Sequence, residues 1–252
     1  RIDDFFGLEE LPEKNKQTEK TDNTEKTDNF EQKQQMKQSE QTGKDILVEF
    51  SDVTFAYGDR NVFENLSFQV NEGEQVTLSG RTGAGKSTIF KLLLGLYTPK
   101  EGKVMIAGKV ADAITDSEKR KLFGYVEQSF HIVPGTVKDQ ITLYDETFTM
   151  EDVREAAEVA GLDEAIENLE KGYDTMCTQG IFSQGQWQLL SIARAAVAKP
   201  KLLLLDEITA NLDAQTEKEV LQALKRVSTG RTVISISHRV NAETGRLIKL
   251  GL

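Results

Sequence analysis

The chain has 252 residues and a hydrophobic fraction of 38%, low for a compact domain of that length, so part of it is expected to stay outside a folded core. Its 41 acidic and 31 basic residues leave a net charge of -10, which argues against nonspecific attraction to nucleic acid or to an anionic membrane surface, since both require a basic face. The single cysteine, Cys177, excludes an internal disulfide framework and a cysteine-rich zinc site, and no run approaches the roughly 18 consecutive apolar residues of a membrane-spanning helix.

The opening segment RIDDFFGLEELPE, residues 1–13, carries Ile2, Phe5, Phe6 and Leu8 among acids and reads as the end of a preceding domain. It starts on Arg1 rather than Met, so the chain is expected to be processed or cut from a longer protein. Between Lys14 and Gln41 the hexapeptide TEKTDN occurs in tandem, at 18–23 and 24–29, and Phe30 and Met36 are the substantial apolar side chains. Such a segment buries too little apolar surface to offset its ordering entropy, and residues 14–45 are expected to form a disordered linker.

Folded sequence resumes at Ile46. The stretches ILVEFSDVTFAYG and NVFENLSFQVNEGEQVTLSG are rich in Val, Phe, Ile and Thr and punctuated by Gly58, Asn71 and Gly73, which predicts an antiparallel patch leading into a buried strand. That strand runs into GRTGAGKST, residues 80–88, followed by a helix-like run from Ile89 to Leu94. Further on, Thr149 and Asp152 form a capping-box pattern for a helix that Gly161 stops. The stretch QGQWQLLSIARAAVAKP predicts another helix, ended by Pro200, and LLLLD and TVISISH predict strands buried on both faces. Strands alternating with helices indicate an α/β sheet, in which ligands gather at the carboxyl ends of the strands.

The glycines of GRTGAGKST allow a loop whose backbone N–H groups turn inward, and the following helix adds the positive end of its dipole. The pattern G-x-x-x-x-G-K-[ST] is met by Gly80, Gly85, Lys86 and Ser87, a phosphate cradle to which Thr82, Gly83 and Ala84 contribute the intervening backbone. Lys86 is expected to reach the β and γ phosphates of ATP, and the hydroxyl of Ser87 or of Thr88 to ligate Mg²⁺. Asp206, at the end of LLLLD, supplies a second metal ligand, and Glu207 is placed to polarise an attacking water.

Between these motifs, FSQGQWQLLSIARA, residues 182–195, resembles the signature sequence of ABC ATPases and its helix, with Ser183, Gly185 and Gln186 matching and Phe182 and Gln184 departing from the commonest form. The resemblance runs from about Ile46 to Leu250 with the family's motifs in order. It implies a P-loop NTPase core of α/β class over residues 46–252, with an antiparallel β patch and an inserted helical subdomain at about 129–185. It also implies that Tyr57 stacks on adenine, that Gln128 is the Q-loop glutamine that meets metal and water, that Asn211, Leu212 and Asp213 form the D-loop, and that His238 contacts the γ phosphate. In that family two nucleotide-binding domains pack head to tail, the phosphates on one P-loop meeting the signature of the other, so the implied partner is a second such domain, identical or related.

The segment SFHIVPGTVKDQI, residues 129–141, resembles the exporter branch through Gly135, Thr136, Val137 and Ile141. That likeness implies a transmembrane domain, fused upstream, and a place on the cytoplasmic side of the membrane. Three departures stand out: YDTMCTQGIF before the signature lacks the usual glutamate, Trp187 stands where an arginine is usual, and the linker is long and polar. A soluble ABC ATPase acting on nucleic acid or the ribosome is the alternative, but its duplicated modules, coiled-coil insertions and basic tails are not seen here. A binding-only domain would lack Glu207 or His238, and both are present. If the linker is disordered, limited proteolysis should cut first inside the TEKTDN copies and leave ATP hydrolysis intact; first cuts beyond Ile46 would contradict it.

Overall fold

The computed structural model describes residues 45–127, 129–208, 212–236 and 245–251. The expectations placed on residues 1–44, Gln128, Asn211 and His238 lie outside these.

Two long strands open the described chain, β1 (Ile46–Tyr57) and β2 (Arg60–Asn71), followed by β3 (Gln75–Ser79) and α1 (Lys86–Leu93). Next come β4 (Glu101–Ile106), β5 (Lys109–Val110), α2 (Asp116–Leu122) and β6 (Phe123–Val126). The helical stretch holds α3 (Val137–Thr142), α4 (Met150–Ala160), α5 (Asp163–Glu167) and α6 (Gln184–Ala196). The chain then forms β7 (Leu202–Asp206), α7 (Ala214–Ser228), β8 (Thr232–Ile236) and β9 (Arg246–Lys249).

The strands build two sheets. One is antiparallel with order β2-β1-β4-β5, so the antiparallel patch expected from the sequence forms and is joined by strands the sequence reading did not single out. Along β1 the side chains of Val48, Phe50 and Phe55 are buried, and Phe50 stacks on its cross-strand partner Phe68 at 4.4 Å between centroids. The other sheet has order β6-β7-β8-β3-β9 with every pairing parallel. The α/β expectation therefore holds.

β7 explains why the parallel sheet is stable. Leu202 and Leu204 enter one core with α1 and the inner face of β1, whereas Leu203 and Leu205 enter a second core with α4, α6 and α7. Period-2 alternation thus supplies two apolar faces from one leucine run, and this is why LLLLD shows no polar alternation. The register then levels the strand ends: Leu78 of β3 and Asp206 of β7 both pair with Ile236 of β8, and Val126 of β6 pairs with Leu205. In a parallel sheet all these ends face the same way.

Helix boundaries follow local chemistry. Thr115 with Glu118, Thr136 with Asp139, Thr149 with Asp152 and Ser183 with Gln186 form reciprocal capping boxes at the starts of α2, α3, α4 and α6. Gly161 ends α4 in the left-handed conformation, as its sequence position predicts. α6 stops at Ala196, short of Pro200, in a turn closed by the Lys199 N–H to the Ala196 carbonyl at 2.8 Å. The helix after the glycine loop begins at Lys86 rather than Ile89, which puts Lys86, Ser87 and Thr88 in its first turn.

Leu204 is fully buried in the central sheet. Leu204→Ala should lower the free energy of unfolding by about 2–5 kcal/mol, read from urea denaturation, and a loss below about 1 kcal/mol would show that the core closes around the deletion.

Candidate active site

The carboxyl end of β3 turns into the loop Gly80–Gly85 and then α1. Gly85 is fitted on two counts: its φ is 89°, and a Cβ there would lie 2.5 Å from the Phe63 ring and 2.6 Å from Val62. The Ala84 N–H donates to the Arg81 carbonyl at 3.0 Å and closes the loop on itself. Lys86 is 5% exposed and folds back, its Nζ donating to the carbonyls of Gly80 at 2.9 Å and Arg81 at 3.3 Å.

The first turn of α1 differs from the other long helices. Among the described helices of at least 8 residues, α4, α6 and α7 have a side chain capping the N terminus, whereas α1 begins at Gly85 with no side-chain cap and no acid in its first turn. Its leading N–H groups and dipole end are therefore left for an anion, and the glycine loop that precedes them is held against β2, where Gly85 leaves no room for a side chain. These residues fit a bound polyphosphate. Of the two candidate hydroxyls for Mg²⁺, Ser87 is exposed, while Thr88 is 7% exposed and its Oγ1 lies 3.4 Å from the Tyr57 hydroxyl.

On the far side of β8, at the ends of β6 and β7, the Tyr125 hydroxyl donates to Asp206 Oδ2 at 3.3 Å. Burial pushes the Asp206 carboxyl above the usual carboxylate range, the Tyr125 hydrogen bond and the charge of Lys86 oppose that shift, and the charges of Glu207 and Glu127 add to it. Asp206 thus senses the charge of Lys86 across the loop. Glu207 follows with a positive φ of 46°, and its N–H donates to the Ile236 carbonyl at 3.2 Å, which pins the turn to the end of β8. A left-handed non-glycine residue costs about 1–3 kcal/mol and marks a position that the surroundings hold in place. Among the described residues no cluster of His, Cys, Asp and Glu could hold a metal by itself. A Mg²⁺ there would rely on Ser87, Asp206 and the phosphate oxygens, in keeping with its habit of using one or two carboxylates plus substrate.

Tyr57 ends β1 and is 39% exposed, against 4% for Phe55 two residues earlier, so it is not an ordinary core residue. Its ring meets Phe55 edge-on at 5.0 Å and Tyr97 edge-on at 5.4 Å, and Lys91 Nζ lies 5.8 Å from its centroid. Sequence reasoning missed Tyr97, Lys91 and Tyr125. Lys91 lies one helical turn beyond Ser87, a spacing that could have flagged it.

The signature stretch lies at the start of α6. Ser183 Oγ accepts from the Gln186 N–H at 3.3 Å, and Gln186 Oε1 accepts from the Ser183 N–H at 2.9 Å. Gly185 is buried against α7, where a Cβ would overlap the Thr216 methyl group. Asp213 caps α7, accepting from the N–H groups of Gln215 and Thr216 at 3.1 Å and from the Thr216 hydroxyl, and these bonds hold its carboxyl below its ordinary range. Among the described residues no hydrogen bond or ion pair joins Ser183, Gly185 or Gln186 to residues 80–88.

A protein-family model described as "ABC transporter" matches residues 63–210. The chain is 42% identical over 205 residues to an uncharacterized ABC transporter ATP-binding protein, YfiC, of Bacillus subtilis, covering 80% of this chain and 33% of that protein. It is 38% identical over 197 residues to a probable multidrug resistance ABC transporter ATP-binding/permease protein, YheH, of the same organism, covering 77% of this chain and 29% of that one. A solved structure of a bacterial Atm1-family ABC exporter with ATP bound superposes with a TM-score of 0.73 at 34% identity, over 83% of this chain and 38% of that one. The chain therefore spans about a third of the length of these relatives.

Tyr125→Phe removes a donor to Asp206 and leaves the burial in place, so the carboxyl should move further above the ordinary range. Carbon-detected NMR titration of the aspartates reads this directly, and an unchanged or lowered Asp206 value would show that the hydroxyl does not stabilise the carboxylate.

Proposed function

The chain belongs to the ABC transporter family of ATP-binding proteins, and on that premise we propose that residues 46–252 bind and hydrolyse ATP to drive export by a membrane domain. The observation that carries this reading is the carboxyl end of the parallel sheet, where the P-loop after β3 and, across β8, the Tyr125–Asp206 pair and the strained Glu207 stand on strand ends that face the same way.

In this reading the loop 80–88 holds the phosphates through its backbone, with Thr82, Gly83 and Ala84 in the wrap, Lys86 on the β and γ phosphates, and Tyr57 stacked on adenine. Lys86 exchanges its two loop carbonyls for phosphate oxygens, so it is prepositioned rather than recruited from solvent. Ser87, Asp206 and Gln128 would hold Mg²⁺, whose charge offsets that of the β and γ oxygens when it is bound. Glu207 orients the water and takes its proton as the water oxygen bonds to the γ phosphorus and the bond from that phosphorus to the β–γ bridging oxygen breaks, ADP leaving with the bonding pair, and His238 steadies the γ phosphate. The buried upward shift of Asp206 is reversed once a cation sits beside it.

Ser183, Gly185 and Gln186 serve the phosphates of a second domain, identical or related, packed head to tail, with Asp213 at the junction. That no hydrogen bond or ion pair joins the signature to the P-loop within one chain, among the described residues, supports that arrangement. Thr216 alters how the signature should be probed, because a side chain at Gly185 strikes its own chain before any partner. A cavity of about 460 Å³ lined by Tyr125, Phe130, Leu143, Phe148 and Arg194 lies between the loop after β6 and the helical stretch, and the membrane domain is proposed to dock there. Residues 1–13 would then close that domain, residues 14–45 would be the linker, and the assembly would face the cytoplasm.

Glu207→Gln keeps the shape and removes the base, so turnover should fall by about 10²- to 10⁴-fold with ATP still bound and an ATP-dependent dimer visible by sedimentation. Near-normal turnover would refute the role of Glu207. A wild-type rate per chain that stays constant on dilution to monomer would refute the shared site.

A further inference from the structure

Phe130 lies in the loop that leaves β6, and two side chains of α6 meet its ring. Trp187 stacks on it with centroids 5.2 Å apart and planes at 27°, and the Arg194 guanidinium carbon lies 4.1 Å from its centroid. Trp187 and Arg194 are seven residues apart, close to two helical turns, so both project from one face of α6. Phe182, just before that helix, meets the Trp187 ring edge-on at 5.2 Å.

The arginine is itself fixed. Its Nε donates to the Gln140 carbonyl at 2.6 Å, and both terminal nitrogens lie 3.3 Å from the His131 carbonyl. Gln140, fully buried, exchanges hydrogen bonds with the backbone of Val133 at 2.9 and 2.8 Å. Gln188, on the next position of α6, donates to the Glu127 carbonyl at 3.2 Å. The loop is therefore fastened to α6 at Glu127, Phe130 and His131, and to α3 at Val133. A loop that served only as a connection would not need a π stack, a cation over the same ring and backbone bonds at these separate points.

We propose that Phe130, clamped between Trp187 and Arg194, is a positioning residue that makes the loop after β6 and the signature helix move as one body. A displacement at the carboxyl end of β6 during the ATP cycle then reaches the N terminus of α6 undamped. This inference rests on the ATPase reading above and adds the element that couples its two halves. It also gives Trp187, which departs from the arginine usual at that place, a task of its own: a flat ring stacks on Phe130 across its whole face.

Trp187 is the sole tryptophan of the chain, so its emission reports the stack without labelling. In the full chain, Phe130→Ala should shift that emission to the red and lower kcat by about tenfold, part of the ~10²-fold that a misplacement of about 1 Å can cost, with the Kd for ATP unchanged. Phe130→Tyr should restore both emission and kcat. Trp187→Ala should lower kcat similarly, and the double variant should be no worse than the poorer single one, because both remove the same clamp. Wild-type kcat in Phe130→Ala, an unshifted emission, or losses that multiply in the double variant would each overturn the clamp while leaving the ATPase reading intact. A wild-type chain that neither binds nor hydrolyses ATP would overturn that reading and this one together.

Discussion

Leu202, Leu203, Leu204 and Leu205 are each at most 8% exposed and divide between two cores, and the other features of the molecule depend on that division. A strand buried on both faces cannot slip by one residue without exchanging its two faces, so its register is held by packing on either side. Parallel pairing through β8 then levels β3 and β7, and β6 is fixed one step away. The polar residues that follow those strands are brought together by an apolar constraint that none of them takes part in. This is why a group from a distant part of the sequence, Lys86, comes to bear on the ionisation of Asp206.

The treatment of helix N termini separates structure from chemistry in this chain. Most starts are closed by their own side chains, and two of the carboxylates that do so, Asp152 and Asp213, sit below their ordinary pKa range because they accept hydrogen bonds while charged. α1 lacks any such group, and its lysine is turned back over the glycine loop. An internal carboxylate there would satisfy the helix and repel a phosphate. Leaving it out keeps the first turn of α1 open to an anion.

The signature stretch shows one set of residues meeting two demands. Ser183 and Gln186 close their own helix, and Gly185 makes room for Thr216, whose hydroxyl in turn bonds the Asp213 cap. A residue pattern associated with a partner's phosphates is thus also required by packing inside the chain. The same helix carries Trp187, Gln188 and Arg194 toward the loop after β6, so its N-terminal end and its flank address different neighbours.

Much of the molecule was legible in the sequence because it depends on local rules. The glycine-lysine loop needs contiguous backbone geometry, the box of Thr149 and Asp152 spans three residues, Gly161 supplies a left-handed stop, and a leucine run without polar alternation means a strand covered on both faces. Tertiary structure alone decided the rest. That Ser87 is open while Thr88 is occupied by Tyr57, that Tyr125 reaches Asp206, that Gly185 yields to Thr216, and that Phe130 lies between Trp187 and Arg194 are contacts across 31, 81, 31, 57 and 64 positions of chain. Such pairs leave no mark in local propensity or periodicity, because each partner is compatible with its own element whether or not the other is present. Only the packing of the sheet and helices brings them within reach.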